Sequence, residues 1–225
     1  MSHCRCSPTI AVLMGNLPFE QVNAMPTIYD LKPHFQTVLR PIADRLAKGG
    51  ITPNQVTIAA LLLSIGTGLL VALAARNGRL LLLVPGVLLA RMALNAIDGM
   101  LAREHAMQTS LGAVLNELGD VVSDAVLYLP FAFIPGINAV LVVILVVLAM
   151  VSEMAGVVAV QIGAPRRYDG PLGKSDRAFL FGLIALILGL GFRLYVIANL
   201  ALAVALVLSL VTIKNRVQQA LQEVS

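Results

Sequence analysis

The stretch LLLLVPGVLLARMALNAIDGMLAR, residues 80–103, decides the fold. A bilayer-spanning helix needs about 20 mostly apolar residues, and residues 80–102 supply such a run. Its second half nevertheless carries Arg91, Asn95 and Asp98. Ionisable groups inside a span are costly and mark a functional site by default. Apolar blocks of similar size recur at 53–75, 111–134, 138–162, 178–192 and 194–213. The fifth is short, and only Arg193 parts it from the sixth, so the range is six spans, or five with a re-entrant piece. Period-2 alternation is absent, and lipid admits only helices and closed barrels. The expectation is an all-α polytopic membrane helix bundle of about six transmembrane helices.

Composition agrees. Of 225 residues 58% are hydrophobic and 12% charged, with mean hydropathy +0.88, whereas soluble domains carry roughly 25% charged residues. The net charge is +4, and its placement is more informative than its size. Lys32, Arg40, Arg45 and Lys48 precede the first span; Arg103, then Arg166, Arg167, Lys174 and Arg177, then Lys214 and Arg216 fall in alternate loops and the C-terminal tail. The opposite loops hold Arg76, Arg79 and Arg193. The positive-inside rule puts both termini and the 103–110 and 163–177 loops in the cytoplasm. That rule accounts for the basic residues without a nucleic-acid partner. Cys4 and Cys6 are the only cysteines and make no disulfide framework; with His3 they fall short of a metal site.

Four segments are expected. Residues 1–24 read as a poorly structured extension, with Met25 preferred as the start. Residues 25–50 read as an amphipathic juxtamembrane helix, with Ile28, Leu31, Phe35, Val38, Leu39, Ile42 and Leu46 at helical spacing and a bend at Pro41. This helix either lies in the membrane interface or packs on the cytoplasmic face of the bundle; the two readings are compatible. Gly49-Gly50 ends it, and Thr52-Pro53-Asn54-Gln55 opens the next helix with a capping box. Residues 51–213 form the transmembrane catalytic domain, and 214–225 a cytoplasmic tail.

The third apolar block adds Asn116, Asp120 and Asp124 on one helical face, opposite the face formed by residues 91, 95 and 98. A short loop makes the two helices antiparallel, so depth counts at about 1.5 Å per residue. Asp98 then falls level with Asn116, Asn95 with Asp120, and Arg91 with Asp124. The upper two levels form an oxygen-rich cup for a hard cation, Mg²⁺ or Mn²⁺; the lowest reads as a structural ion pair. A set of interhelical polar clamps explains one such level readily, but not three in register.

These residues carry a resemblance. Asp98-Gly99-x2-Ala102-Arg103-x8-Gly112-x3-Asn116-x3-Asp120 resembles the CDP-alcohol phosphatidyltransferase signature, D-x2-D-G-x2-A-R-x8-G-x3-D-x3-D, in every spacing. Pro53-Asn54-x2-Thr57 is similar to the family's first span. The resemblance covers about 40–215 in topology, with its specific part at 95–120. It implies a bacterial-type inner-membrane enzyme that transfers a phosphatidyl group from a CDP-linked lipid, CDP-diacylglycerol above all, to an alcohol, releasing CMP. Asp98, Gly99, Ala102, Arg103, Gly112, Asn54 and Thr57 would bind nucleotide. Asp98, Asp120, Asn95 and Asn116 would surround the metal. Asp120 would be the general base, and Arg103 would steady the diphosphate. A homodimer would suit the family.

Two positions depart from the signature: Asn95 and Asn116 stand where the family has aspartates. Each keeps an oxygen ligand and loses a negative charge. In the 163–177 loop, Lys174, Arg177 and Arg166 or Arg167 are candidates for an anionic acceptor or lipid headgroup, and positive-inside charge explains them equally well. Gly173-Lys174-Ser175 is no P-loop, because the first glycine of that motif would fall at Tyr168. Glu153 either joins the acceptor site or pairs with Arg91. Two rival functions keep the same buried charges: a non-catalytic CDP-lipid binding protein and an ion-coupled transporter.

Overall fold

A computed structural model describes residues 31–74 and 78–224, with side chains over 35–73 and 78–224. The expectations for 1–24, Met25, Ile28, His3, Cys4 and Cys6 lie outside the described residues. The chain divides into two units, Met1–Phe35 and Gln36–Ser225, and the second carries the helical bundle. Among the described residues seven helices run in order: α1 Leu31–Lys48, α2 Pro53–Ala74, α3 Leu83–Glu104, α4 Ser110–Tyr128, α5 Ala139–Gln161, α6 Lys174–Gly189 and α7 Tyr195–Val224. Short 3₁₀ segments at Gly78–Leu82 and Leu129–Phe133 lead into α3 and extend α4. Among the described residues there is no strand.

Among the described residues four segments are long and apolar enough to cross a membrane: Pro53–Leu73, Gly78–Glu104, Ala139–Gln161 and Tyr195–Val224. The expected six is therefore approximate. Helix α4 has the length but carries Glu117, Asp120 and Asp124, and α6 has only 16 residues and opens on Lys174, Asp176 and Arg177. The sixth block also extends further than its apolar run, because α7 continues as helix through the 213/214 boundary to Val224.

Local chemistry explains the helix ends. Gly50 sits at φ +76°, a left-handed conformation that suits glycine at a helix C-terminus. Thr52 N–H donates to Gln55 Oε1 at 3.0 Å, and Gln55 N–H to Thr52 Oγ1 at 3.4 Å, closing the capping box. Within α2 the buried Ser64 and Thr67 hydroxyls donate to the carbonyls of Ala60 and Leu63, both at 2.7 Å, so neither hydroxyl is stranded in the bundle. Gly68 lets α2 cross α4 at backbone contact: a Cβ there would lie 2.1 Å from the Val126 carbonyl oxygen.

The main core gathers around Tyr128, Phe131 and Phe181, with Tyr128 stacked on Phe181 at 4.2 Å and Phe131 edge-on at 5.0 Å. Many large apolar side chains point outward, among them Leu62, Leu69, Val140 and Val196. An outward face of this kind suits lipid rather than water. Helix α1 divides its apolar residues: Leu39 and Ala43 are buried with Val56, Ile97, Met100 and Leu101, while Val38 and Ile42 stay exposed. A bidentate Arg40–Glu104 pair (3.0 Å each) and an Asp44–His105 contact (3.1 Å) tie α1 to the end of α3. Packing on the bundle and presenting an apolar strip outward thus coexist on one helix.

Candidate active site

The antiparallel α3 and α4 bring their polar faces together as the depth count requires. Asn95 Nδ2 donates to Asp120 Oδ1 at 3.1 Å, and Arg91 meets Asp124 Oδ1 at 2.8 Å. The uppermost level gains a third helix: the Thr57 hydroxyl of α2 lies 3.0 Å from Asp98 Oδ2 and 3.0 Å from the Pro53 carbonyl. Beside this level opens a cleft of about 580 Å³. Its lining includes Asn54, Thr57, Asp98, Gly99, Ala102, Arg103, Gly112 and Asn116, joined by Met107, Gln108 and Thr109 of the α3–α4 turn and Ser110 at the start of α4. All seven residues expected to bind nucleotide therefore line one concavity. Asn95 and Asp120 are not among the lining; they lie on the next level down.

Both signature glycines are explained by neighbours of this chain. A Cβ on Gly112 would stand 2.7 Å from Asn54 Oδ1 and 2.9 Å from Thr109 Oγ1. A Cβ on Gly99 would come to 3.0 Å from an Arg103 guanidinium nitrogen. The glycines thus seat Asn54 and Arg103 at the cleft wall.

The loop cations do not stand free. Lys174 is in contact with Asp120. Arg166 pairs with Glu117 and lies 3.6 Å from Glu153. Arg177, 1% exposed, bridges Asp124 at 3.1 Å and Glu153 at 3.0 Å. Glu153 therefore pairs with Arg177, while Arg91 takes Asp124. The positive-inside pattern accounts for Arg216 as a topological charge, yet it is buried, 3.6 Å from Glu153, and also donates to the carbonyls of Ser152 and Asp169. Glu117 escapes sequence reasoning as well, although it adjoins Asn116 in sequence. Four carboxylates (Glu117, Asp120, Asp124, Glu153) and five cations (Arg91, Arg166, Lys174, Arg177, Arg216) thus pair where α3, α4, α5, α6 and α7 converge, while Asp98 is held separately by Thr57. At the rim, Arg167 holds Asp169 by two hydrogen bonds of 2.8 and 3.1 Å and keeps its carboxyl below the usual carboxylate range.

The donor set bears on metal. Among the described residues no three His, Cys, Asp or Glu side chains cluster as metal ligands. Asp120 Oδ1 faces Lys174, the Asn95 amide and, at 3.9 Å, Arg91, so protein cations and donors already surround it. Asp98 keeps one oxygen outside its Thr57 contact and lines the open cleft with the Asn116 amide. Such a set fits one Mg²⁺ or Mn²⁺ completed by water and phosphate oxygens, since Mg²⁺ commonly takes one or two carboxylates plus substrate phosphates.

Residues 50–211 match the CDP-alcohol phosphatidyltransferase family. The chain is 49% identical over 195 residues to inner membrane protein YnbA of Escherichia coli (strain K12), covering 87% of this chain and 96% of that protein. It is 35% identical over 101 residues to an uncharacterized protein of Aquifex aeolicus (strain VF5), covering 45% of this chain and 47% of that one. Its fold is similar to the phosphatidylinositol phosphate synthase of Mycobacterium tuberculosis. With CDP-DAG bound, that structure gives a TM-score of 0.68 at 22% identity over 82% of this chain and 94% of that one. In complex with manganese and citrate it gives 0.66 at 23% identity over 81% and 88%. The apolar helices and the likeness to an inner membrane protein identify a multi-pass protein of the bacterial inner membrane.

Proposed function

This chain belongs to the CDP-alcohol phosphatidyltransferase family, and we propose that it moves a phosphatidyl group from CDP-diacylglycerol to an alcohol, releasing CMP, at the cytoplasmic face of the membrane. The observation that carries the reading is the cleft of about 580 Å³, whose wall holds every residue matching the family's nucleotide positions. The CDP-DAG and manganese named for the mycobacterial structures support the donor and the metal class.

In this reading the donor's cytidine diphosphate lies along Gly99, Gly112 and Arg103, with Asn54 fixing one wall. Asp98 and Asn116 would hold one divalent cation, which would neutralise phosphate charge when bound. Asp120 orients the acceptor hydroxyl and takes its proton, while Lys174 and Asn95 hold the carboxylate in place. The acceptor oxygen bonds to the phosphorus bearing diacylglycerol, and the bond from that phosphorus to CMP breaks, its electron pair leaving with CMP. Positioning and charge neutralisation supply most of the catalysis.

A second reading, CDP-lipid binding without turnover, is favoured by one observation: the Asp120 carboxylate is already engaged by Lys174. CMP release from CDP-diacylglycerol by purified protein with Mg²⁺ or Mn²⁺ and an alcohol panel separates the two. Asp98→Asn and Asp120→Asn should each abolish release while leaving folded protein; retained turnover in either would remove support for this mechanism.

A further inference from the structure

We propose that the acceptor is an uncharged hydroxyl compound, and that phosphorylated alcohols are excluded because the cations beside Asp120 are already committed to carboxylates. The inference rests on the phosphotransferase reading and narrows it to a substrate class. The donor cleft occupies the α2–α3–α4 side, so the acceptor approaches Asp120 from the side of α6 and the 162–173 loop, where Lys174 touches it.

A phosphate monoester carries nearly two negative charges at neutral pH. Its recognition calls for cations with open hydrogen-bonding ends, usually Arg forks. On this side each candidate is already held: Lys174 by Asp120, Arg166 by Glu117, and Arg177 between Asp124 and Glu153. Arg177 is also 1% exposed, closed to any ligand. A phosphate could recruit one of these cations only in competition with its carboxylate, and for the buried Arg177 that would strand Asp124 and Glu153, which is strongly unfavourable.

The charge balance points the same way. With Asp98 counted beside the four ion-paired carboxylates, the negative and positive side chains of this region are equal in number, and a divalent cation matches the donor diphosphate. Of the cations outside that network, Arg103 lines the donor cleft and Arg167 is held by Asp169 and Glu223. A neutral hydroxyl needs no cation. It donates to Asp120 and to the partly exposed Glu117 carboxylate. Its transfer leaves the balance unchanged, because the acceptor proton goes to Asp120 and the bond electrons leave with CMP.

The test uses full-length protein in nanodiscs with CDP-diacylglycerol and Mg²⁺. CMP release is compared for glycerol against glycerol 3-phosphate and for inositol against inositol 1-phosphate, and calorimetry follows inorganic phosphate and glycerol 3-phosphate binding. The neutral member of a pair should stimulate release at least tenfold more than its phosphorylated form, and neither phosphate should bind below about 10 mM. Glu117→Gln, which releases Arg166, should raise phosphate affinity at least tenfold. Faster release with a phosphorylated acceptor, or submillimolar phosphate binding to the unaltered protein, would overturn the proposal. If no acceptor supports release, the phosphotransferase reading fails, and the calorimetric arm still decides whether the cations are committed.

Discussion

Replacing Asn95 by aspartate restores the family's residue and should make the protein depend on a divalent cation for its stability. Asn95 Nδ2 now donates to Asp120 Oδ1 at 3.1 Å. In Asn95→Asp a carboxylate oxygen faces another at that separation, where two unit charges repel by about 5 kcal/mol at an effective dielectric of 20. Lys174 and Arg91 beside the same Asp120 oxygen offset part of this, leaving a loss of roughly 2–4 kcal/mol. For a chain of this size that corresponds to a melting temperature lower by roughly 5–15 °C. Differential scanning fluorimetry in detergent with EDTA, then with Mn²⁺, reads it directly: Asn95→Asp should melt well below the unaltered protein in EDTA and recover most of the difference in Mn²⁺. Equal melting temperatures in EDTA at pH 7 would refute the Asn95–Asp120 contact and the charge argument built on it.

Gly112→Ala would drive a Cβ to 2.7 Å from Asn54 Oδ1; overpacking of this kind costs about 1–3 kcal/mol, and CDP-lipid binding should weaken because both residues line the cleft, as a fluorescent CDP-lipid titration would register. Arg177→Met leaves Asp124 and Glu153 without their shared partner, a loss of about 3–5 kcal/mol; adding Glu153→Gln should recover part of it in thermal unfolding, and an unchanged melt for the single variant would mean that the buried network contributes nothing. Tyr168, exposed in the 162–173 loop, should as Tyr168→Cys resist impermeant thiol reagents on intact cells and react after permeabilisation. Labelling from outside would reverse the orientation and move the site to the other face.

Much of the site could be read from order alone because it is built from two helices joined by a short turn. Helical periodicity and antiparallel counting are local rules, and they pair Asn95 with Asp120 and Arg91 with Asp124 without knowledge of the other helices. The signature glycines and Arg103 come instead from the resemblance to the family's pattern. Apolar block length likewise sets the membrane class, although it overstates the number of plainly spanning helices: α4 carries Glu117, Asp120 and Asp124, and α6 is short and opens on Lys174, Asp176 and Arg177.

What sequence determines by itself here is the class of fold and the register of α3 against α4. Only the tertiary structure decides which carboxylate each cation meets. Arg166, Lys174, Arg177 and Arg216 carry the same charge and satisfy the same positive-inside rule, so composition cannot rank their partners. Arg177 finds Asp124 53 residues away and Glu153 24 residues away, and Arg216 reaches Ser152 across 64 residues. Such pairings depend on how α5, α6 and α7 pack around α4, and burial then makes them binding: a charge excluded from water must keep whichever opposite charge the packing brings beside it.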